Sequence, residues 1–155
     1  MKVACLGYLG FTSSRLAEWD KFAQSIAGLE RHPESSESEL LLRMDARSFR
    51  LAIERGESEA LAWMGWEMPS PQALVDMRGK LERAGVTVQE ASDEILRKRK
   101  VFRMIQCKDP AGNNVELVAG HRVQIGPFAS PRGVKFVTGH TGMGHLVLLI
   151  DASQY

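Results

Sequence analysis

A short pattern near the start of the chain recurs near its end, and this repetition restricts the possible folds more than any other feature. Leu6–Phe11 aligns with Met143–Leu148. Each copy reads as an apolar residue, a glycine, a ring side chain, a leucine, a small or branched residue and a bulky apolar residue. Tyr8 is the ring residue of the first copy and His145 that of the second. A chain that completes one unit and then begins a similar one has a repeat architecture.

His145 lies at the start of an apolar run, Leu146–Ile150, which predicts a strand covered on both faces. Residue type alone favours a hydrogen-bonded histidine at the edge of a core, because histidine is often partly buried. The repeat supports a second interpretation, in which the ring side chain of the later copy binds a metal. Side chains alternate along a strand, so His145 shares a face with Val147.

Two successive units between these copies have the same predicted order of a strand, a helix and three strands. The first unit has a strand over Lys2–Phe11 and a helix over Arg15–Ala27, with hydroxyl side chains before the helix for capping. A short strand near Leu29–Arg31 and a hairpin of two half-buried strands, Glu39–Asp45 and Arg47–Arg55, complete the unit. The buried stripe of the helix is predicted from apolar residues at three- and four-residue steps, namely Leu16, Trp19, Phe22, Ala23 and Ile26.

The second unit repeats this order. Its helix has the clearest boundaries, because Ser70 is a suitable cap, Pro71 suits the first helical position and Gly85 suits a left-handed stop after Ala84. Turn residues over Asp109–Asn113 separate two of its strands. The predicted strands of this unit are Glu59–Met68, Val86–Gln89, Val101–Cys107 and Asn114–Ala119.

The predicted fold is therefore an α+β domain over residues 1–120, built from two βαβββ modules at about residues 1–56 and 57–120. The chain is long enough for one such domain with a real core. Residues 121–141 contain Pro127, Pro131 and several glycines, which predicts an interdomain linker. Residues 142–155 would then begin a second domain.

Five stretches occur in an order that resembles the type I extradiol catechol dioxygenases of the vicinal oxygen chelate superfamily, which also includes glyoxalase and the bleomycin resistance proteins. The likeness is greatest to the enzymes that cleave 2,3-dihydroxybiphenyl and 1,2-dihydroxynaphthalene, and it runs from about Lys2 to Ile150. The stretches that carry it are Leu6–Phe11, Trp19–Phe22, Asp45–Glu54, Asp109–Asn113 and Gly142–His145.

The resemblance implies that the two modules pair around a shared cleft and that residues 142–155 contain the first strand of a truncated C-terminal catalytic domain. It assigns His145 as one iron ligand and Val147 to the lining of the substrate pocket. The second histidine and the glutamate of the family come from later strands, which this chain does not contain. The implied cofactor is Fe(II), with Mn(II) as the less favoured metal, and the site is incomplete in this chain. No catalytic residue is assigned.

The implied activity is ring cleavage, with O2, of a bicyclic or biaryl catechol similar to 2,3-dihydroxybiphenyl, and the chain is expected to be inactive alone. It could be a truncated protein, one half of a cleaved chain or a naturally short protein. Its partner would be a separate C-terminal half or further copies in a homo-oligomer. The alternative is a non-catalytic binding module similar to glyoxalase and the bleomycin resistance proteins, with a small molecule near Trp63 and Trp66 in a dimer cleft.

Other candidate metal ligands fit less well. Glu116 lies about where the one-domain relatives have a metal-binding glutamate, but the ring residue that matches their histidine is Tyr8, which is not an ordinary ligand for such a metal. Glu116 is therefore predicted to be structural or vestigial. His140 lies in a glycine-containing loop, and His121 and His32 lie in linker or polar stretches, so all three are predicted to be solvated.

Composition and charge argue against several other functions. The formal net charge of +1 gives no reason to expect binding to nucleic acid or to an acidic membrane, and the basic run Arg97–Lys100 is predicted to be a solvated connector. No apolar run reaches transmembrane length. Cys5 and Cys107 lie in strand-like stretches and are interpreted as buried thiols of a reducing compartment, which makes the cytoplasm the expected location.

Overall fold

A computed structural model describes residues 2–139 and 142–148 of the chain. The chain separates into two compact units. The first unit contains residues 8–62 and 122–139, and the second contains residues 2–7, 63–121 and 142–148.

The elements in chain order are β1 Cys5–Ser13, α1 Leu16–Phe22, a π-helical turn Ala23–Ala27, β2 Glu30–Arg31, β3 Glu39–Arg43, β4 Leu51–Arg55, β5 Ala60–Glu67, α2 Pro71–Arg83, β6 Gln89–Glu90, α3 Asp93–Arg99, β7 Val101–Lys108 and β8 Asn114–His121.

The sheet of the first unit has the strand order β2-β3-β4-β1. β3 and β4 form the predicted antiparallel hairpin, whereas β4 runs parallel to β1 because α1 and two strands lie between them in sequence. α1 covers one face of this sheet, and the buried residues between them are Leu16, Ala23, Leu29, Leu40, Leu42 and Ile53. The predicted order of strand, helix and three strands is confirmed.

The helix of the first unit differs from its prediction in its second half. α1 ends at Phe22, and the chain continues as a π-helical turn that stops at Gly28, whose φ of 73° is left-handed. Leu16 and Ala23 are buried as predicted, but Phe22 is 52% exposed and Ile26 is 72% exposed. The wider i→i+5 winding turns Ile26 away from the stripe that a continuous α-helix would form, and Phe22 lies at the edge of that stripe.

The second unit has the strand order β5-β8-β7-β6 and contains α2 on one face. The predicted boundaries of α2 are confirmed in detail. The Ser70 hydroxyl accepts a hydrogen bond from the Ala73 backbone N–H at 3.1 Å, Pro71 is the first helical residue, and Gly85 follows the helix with a φ of 80°. The core between α2 and the sheet consists of Met68, Ala73, Leu74, Ile105, Leu117 and Ala119. The α+β class is confirmed.

An additional helix, α3, occupies part of the stretch for which we predicted a solvated connector. Ser92 caps it, because its hydroxyl accepts a hydrogen bond from the Ile95 N–H at 3.3 Å. Lys100 ends it with a φ of 53°. The basic run therefore forms the last turn of a helix, where cations interact favourably with the helix dipole. The prediction of a solvated connector is wrong, and Arg99 is buried.

Residues 122–139, the greater part of the predicted linker, pack on the first unit. The Ser130 hydroxyl donates to the Gly28 carbonyl at 2.7 Å, and Phe136 packs against the core of that unit. A Cβ atom added to Gly28 would lie 2.6 Å from Val134, so this helix stop and the segment touch. The segment is thus an integral part of the first unit, and its additional role as an interdomain connection stays a prediction.

An ion pair anchors the turn between β3 and β4. Asp45 accepts hydrogen bonds from the Arg50 guanidinium, the shortest at 2.7 Å, and from the Arg47 backbone N–H at 3.0 Å. Burial alone would raise the pKa of Asp45. Hydrogen bonds from Arg50, Arg47 and Thr138, together with the charge of Arg50, outweigh burial and hold that pKa below its ordinary value.

Gly142 and Met143 contact the start of β1 within the second unit. Gly142 forms an isolated parallel bridge with Leu6, and the Met143 N–H donates to the Leu6 carbonyl at 3.1 Å. Residues 144–148 form no helix or strand, so the described part of the predicted strand Leu146–Ile150 is not formed. A strand is stabilised by a series of backbone hydrogen bonds to a neighbouring strand. Among residues 142–148, the isolated bridge between Gly142 and Leu6 is the only such pairing. Leu149 and Ile150 lie outside the described residues.

None of the helices in the described part of the chain combines the length and the apolarity that crossing a bilayer requires.

Candidate functional site

A cleft of the second unit lies on the face of its sheet opposite α2. In β8, Leu117 faces α2, so the adjacent Glu116 points to the other face. Gln106 of β7 is paired directly with Glu116 in the antiparallel register. Trp63 of β5 also lines the cleft, whereas Trp66, three residues later, packs against the core beneath α2. The sheet alternation therefore separates the two tryptophans that we expected to act together.

A buried ion pair forms the floor of this cleft. The Nε atom of Arg99 donates to both carboxylate oxygens of Glu116, at 3.1 and 3.2 Å, and the Gln106 side-chain amide donates to one of them at 3.4 Å. The Arg99 guanidinium carbon lies 3.6 Å from the centre of the Trp63 ring. The Arg99 side chain is 10% exposed and that of Glu116 is 1% exposed. Cation–π contact and charge-assisted hydrogen bonds thus hold one positive and one negative charge together away from water.

The ion pair agrees with the structural interpretation of Glu116 and argues against a metal there. Its carboxylate oxygens accept from a guanidinium, which carries the positive charge that a metal ion would otherwise supply. Tyr8, which matches the histidine of one-domain metal enzymes, is buried in the first unit with its ring 5.2 Å from that of Phe49. Among residues 2–139 and 142–148, no three histidine, cysteine, aspartate or glutamate side chains form a group that could hold a metal ion.

The predicted iron ligand, His145, lies on the irregular segment that follows Gly142, and its side chain is exposed. Val147, predicted to line the substrate pocket, is 88% exposed. Their predicted roles stay predictions, since no group of three or more potential metal ligands is present among the described residues. His140 lies outside the described residues.

The loop before His145 requires glycine at position 142. Gly142 has a φ of 62°, and a Cβ atom at this position would lie 2.3 Å from the Leu6 carbonyl oxygen. Gly144 has a φ of 87°, but no atom lies within 4 Å of its added Cβ. The close approach of Gly142 to β1 therefore fixes where the segment that contains His145 begins.

The prediction that His32 and His121 are solvated is wrong for both. His32 is buried; its Nδ1 atom accepts from the Glu34 backbone N–H at 3.1 Å, so Nε2 carries the proton and donates to the Gln124 side-chain oxygen at 2.7 Å. His121 is the last residue of β8 and is buried with Nδ1 3.5 Å from a Glu67 carboxylate oxygen. The apolar alternation of β8 could have indicated burial of His121, because position 121 lies two residues after the buried position 119.

The two cysteines do not form a disulfide and are half-buried. Burial, together with the negative charge of Asp109, raises the pKa of the Cys107 thiol. A raised pKa favours the protonated thiol over the thiolate, which is the nucleophilic form of cysteine.

Comparison with known proteins gives consistent matches along the chain. The family model described as "Dihydroxybiphenyl dioxygenase BphC D1" matches residues 6–56. The 3-methylcatechol 2,3-dioxygenase of Pseudomonas putida is 39% identical over 152 residues, which make up 97% of this chain and 52% of that protein. The 1,2-dihydroxynaphthalene dioxygenase of Sphingobium xenophagum is 38% identical over 96% of this chain and 51% of its own length. A Rhodococcus jostii protein named iron-dependent extradiol dioxygenase is 34% identical over 96% of this chain and 49% of its own length.

The fold matches solved structures equally well. A crystal structure of a catechol 2,3-dioxygenase superposes with a TM-score of 0.92 and 32% sequence identity, covering 99% of this chain and 56% of that protein. This chain spans about half the length of the curated relatives that it matches.

Proposed function

We propose that this chain, which corresponds over nearly its whole length to the N-terminal half of the type I extradiol catechol dioxygenases, is part of an enzyme that opens a catechol ring beside its two hydroxyl groups. The observation that carries the proposal is the continuous match of the chain to proteins with this activity in their names. The reaction is an oxidation that breaks a ring carbon–carbon bond beside the diol and incorporates both atoms of O2 into the ring-opened product.

The proposed substrate is a catechol with a second ring or a ring substituent next to the diol. The relatives reported above are named for 3-methylcatechol and 1,2-dihydroxynaphthalene, which share a vicinal diol with carbon attached beside it. The proposed metal is iron, since one of the relatives is named as iron-dependent, and we propose the Fe(II) state because a site of two histidines and one carboxylate is typical of non-heme Fe(II) oxygenases.

The described residues do not assemble an iron site by themselves. A non-heme Fe(II) oxygenase uses two histidines and one carboxylate on one face of the metal, and a single imidazole does not replace them. We propose His145 as one of three ligands, with the other two supplied by polypeptide outside this chain, and Val147 as a residue beside the bound ring. The chain alone should therefore neither retain iron after dialysis nor cleave catechol.

A chimera tests the proposal. This chain would replace the corresponding half of the Pseudomonas putida 3-methylcatechol 2,3-dioxygenase, and the chimera should bind iron and form the yellow ring-cleavage product. His145→Ala should lower activity and iron content by more than about 100-fold, beyond the effect of removing a residue that only orients a ligand. Lys135→Ala, at an exposed position of the preceding segment, is the matched control and should retain both.

Two results would contradict the proposal. One is a folded wild-type chimera without ring-cleaving activity. The other is full iron content in the His145→Ala chimera, which would show that His145 is not a ligand.

We also propose a homo-oligomer in the cytoplasm. The exposed side chains of Phe22 and Ile26 support contact with another protein surface, because large apolar side chains exposed together often mark an interface. The two cysteines without a disulfide agree with a reducing compartment. Sedimentation analysis of the chimera and of its Ile26→Lys variant would test the contact; identical masses would count against it.

A further inference from the structure

We infer that the cleft of the second unit is a binding site for an uncharged, hydroxylated aromatic molecule. The cleft has a volume of about 780 Å³, within the range of roughly 300–1,000 Å³ that is typical of small-molecule sites. Every lining residue of the cleft belongs to the second unit. Binding there would require neither iron nor ring cleavage, so it is separate from the proposed dioxygenase activity.

The charges around the cleft cancel. Arg99 and Glu116 form the ion pair of the floor, and Lys108 and Asp109 lie together among the lining residues nearer the surface. A charged ligand would have to leave water without meeting an uncompensated opposite charge, and this desolvation is costly. The cleft should therefore select an uncharged molecule over an anion or a cation of the same shape.

The apolar part of the lining suits a flat ring. Trp63, against which the Arg99 guanidinium stacks, lies in the floor, and Val86 and Pro110 contribute aliphatic surface to the walls. Aromatic rings bury a large apolar area and pack well against such surfaces at little cost in conformational entropy.

The polar part of the lining can recognise hydroxyl groups. Thr87 contributes a hydroxyl, and Gln89 and Gln106 contribute side-chain amides. Each of these groups can both donate and accept a hydrogen bond without carrying a charge, and a phenolic hydroxyl can do the same. A few uncharged hydrogen-bonding groups on an otherwise apolar lining are typical of sites that orient a neutral ligand.

The test uses the whole chain after removal of metals with a chelator. 1-Naphthol is titrated by calorimetry and by NMR, following the indole resonance that disappears in Trp63→Phe. We expect saturable binding and a shift of that resonance. 1-Naphthoate and 1-naphthylmethylammonium, the charged counterparts, should bind at least about ten-fold more weakly because their charge is not compensated in the cleft.

A variant that fills the cleft supplies the second test. Thr87 is exposed at the cleft, so Thr87→Trp should fold and weaken naphthol binding by at least about ten-fold through loss of space. Ala84→Trp places the same side chain at an exposed position that does not line the cleft and should bind like the wild type. Gln89→Trp provides an independent cleft-filling variant if Thr87→Trp does not fold.

Three results would overturn the inference. They are the absence of saturable naphthol binding to the folded wild-type chain, equal or tighter binding of either charged counterpart, and wild-type affinity in a folded cleft-filling variant. Because no iron is present, none of these results depends on whether the proposed dioxygenase activity is correct.

Discussion

Replacing Glu116 with glutamine should lower the free energy of unfolding by about 3 kcal/mol, because the Arg99 guanidinium would remain buried without its counter-charge. Breaking a buried ion pair from one side costs roughly 3–5 kcal/mol. We expect the lower end, since the glutamine oxygen can still accept one hydrogen bond and Trp63 still faces the guanidinium. For a chain of this size, 1 kcal/mol corresponds to about 2–4 °C, so Tm should fall by roughly 6–12 °C.

The double variant Arg99→Met with Glu116→Leu should be less destabilised than Glu116→Gln alone. Its two apolar side chains have volumes similar to those that they replace and need no counter-charge, so the desolvation of both ions is avoided. The comparison separates the penalty of a single buried charge from the loss of packing in the floor of the cleft.

Urea unfolding followed by far-UV circular dichroism gives the required free energies, and metal analysis of the same samples adds an independent result. The glutamine variant should contain no less metal than the wild type, and a chelator should not change the wild-type midpoint. A cost below about 0.5 kcal/mol for Glu116→Gln would refute the role of the ion pair. So would loss of a bound metal that occurs only in this variant, which would restore the glyoxalase-like interpretation of Glu116.

Three further predictions concern other parts of the chain. Because the folded-state pKa of Asp45 is lowered, its stabilisation is complete above the unfolded pKa of about 3.9 and is lost as the pH falls through the folded value; urea midpoints should therefore decrease more on acidification for the wild type than for Asp45→Asn. Gly142→Ala should destabilise the bridge to β1 and speed hydrogen exchange of the Met143 amide. Gly144→Ala is the control, because Gly144 also has a positive φ but no close neighbour; it should cost only the backbone strain of about 1–2 kcal/mol. Gly28→Ala should loosen residues 122–139 and speed their proteolysis, whereas Gly85→Ala, also a helix stop but in open space, should not; equal cleavage rates would argue against the packing of this segment.

The sequence was sufficient where the determining interactions are local. The start and stop of α2 follow from Ser70, Pro71 and Gly85, each of which acts on backbone groups within one turn of the helix. The turn between β7 and β8 is similarly local, since the Asp109 carboxylate accepts from the Asn113 backbone N–H at 2.8 Å. Alternation of apolar residues predicts the hairpin of β3 and β4, which is formed.

The sequence was insufficient where a side chain meets a partner far along the chain. A run of four basic residues predicts a solvated Arg99, but Glu116, 17 residues away, and the Trp63 ring bury it. His32 forms a hydrogen bond with Gln124, which is 92 residues away in the sequence. This contact helps to hold residues 122–139, the greater part of the predicted linker, on the first unit. The type of a residue determines the free-energy cost of removing its side chain from water. The hydrogen bonds and opposite charges that offset this cost come from residues that only the tertiary fold places beside it.

The chain sequence therefore determined the order of its elements, its two modules and its family resemblance, all of which depend on residues close together or on patterns repeated along the chain. Only the tertiary structure decided that Glu116 faces a guanidinium, that residues 122–139 pack on the first unit and that a neutral cleft opens above Trp63. Hydrogen-bond geometry and charge compensation depend on distances of a few ångströms between residues remote in sequence, and such distances exist only after folding.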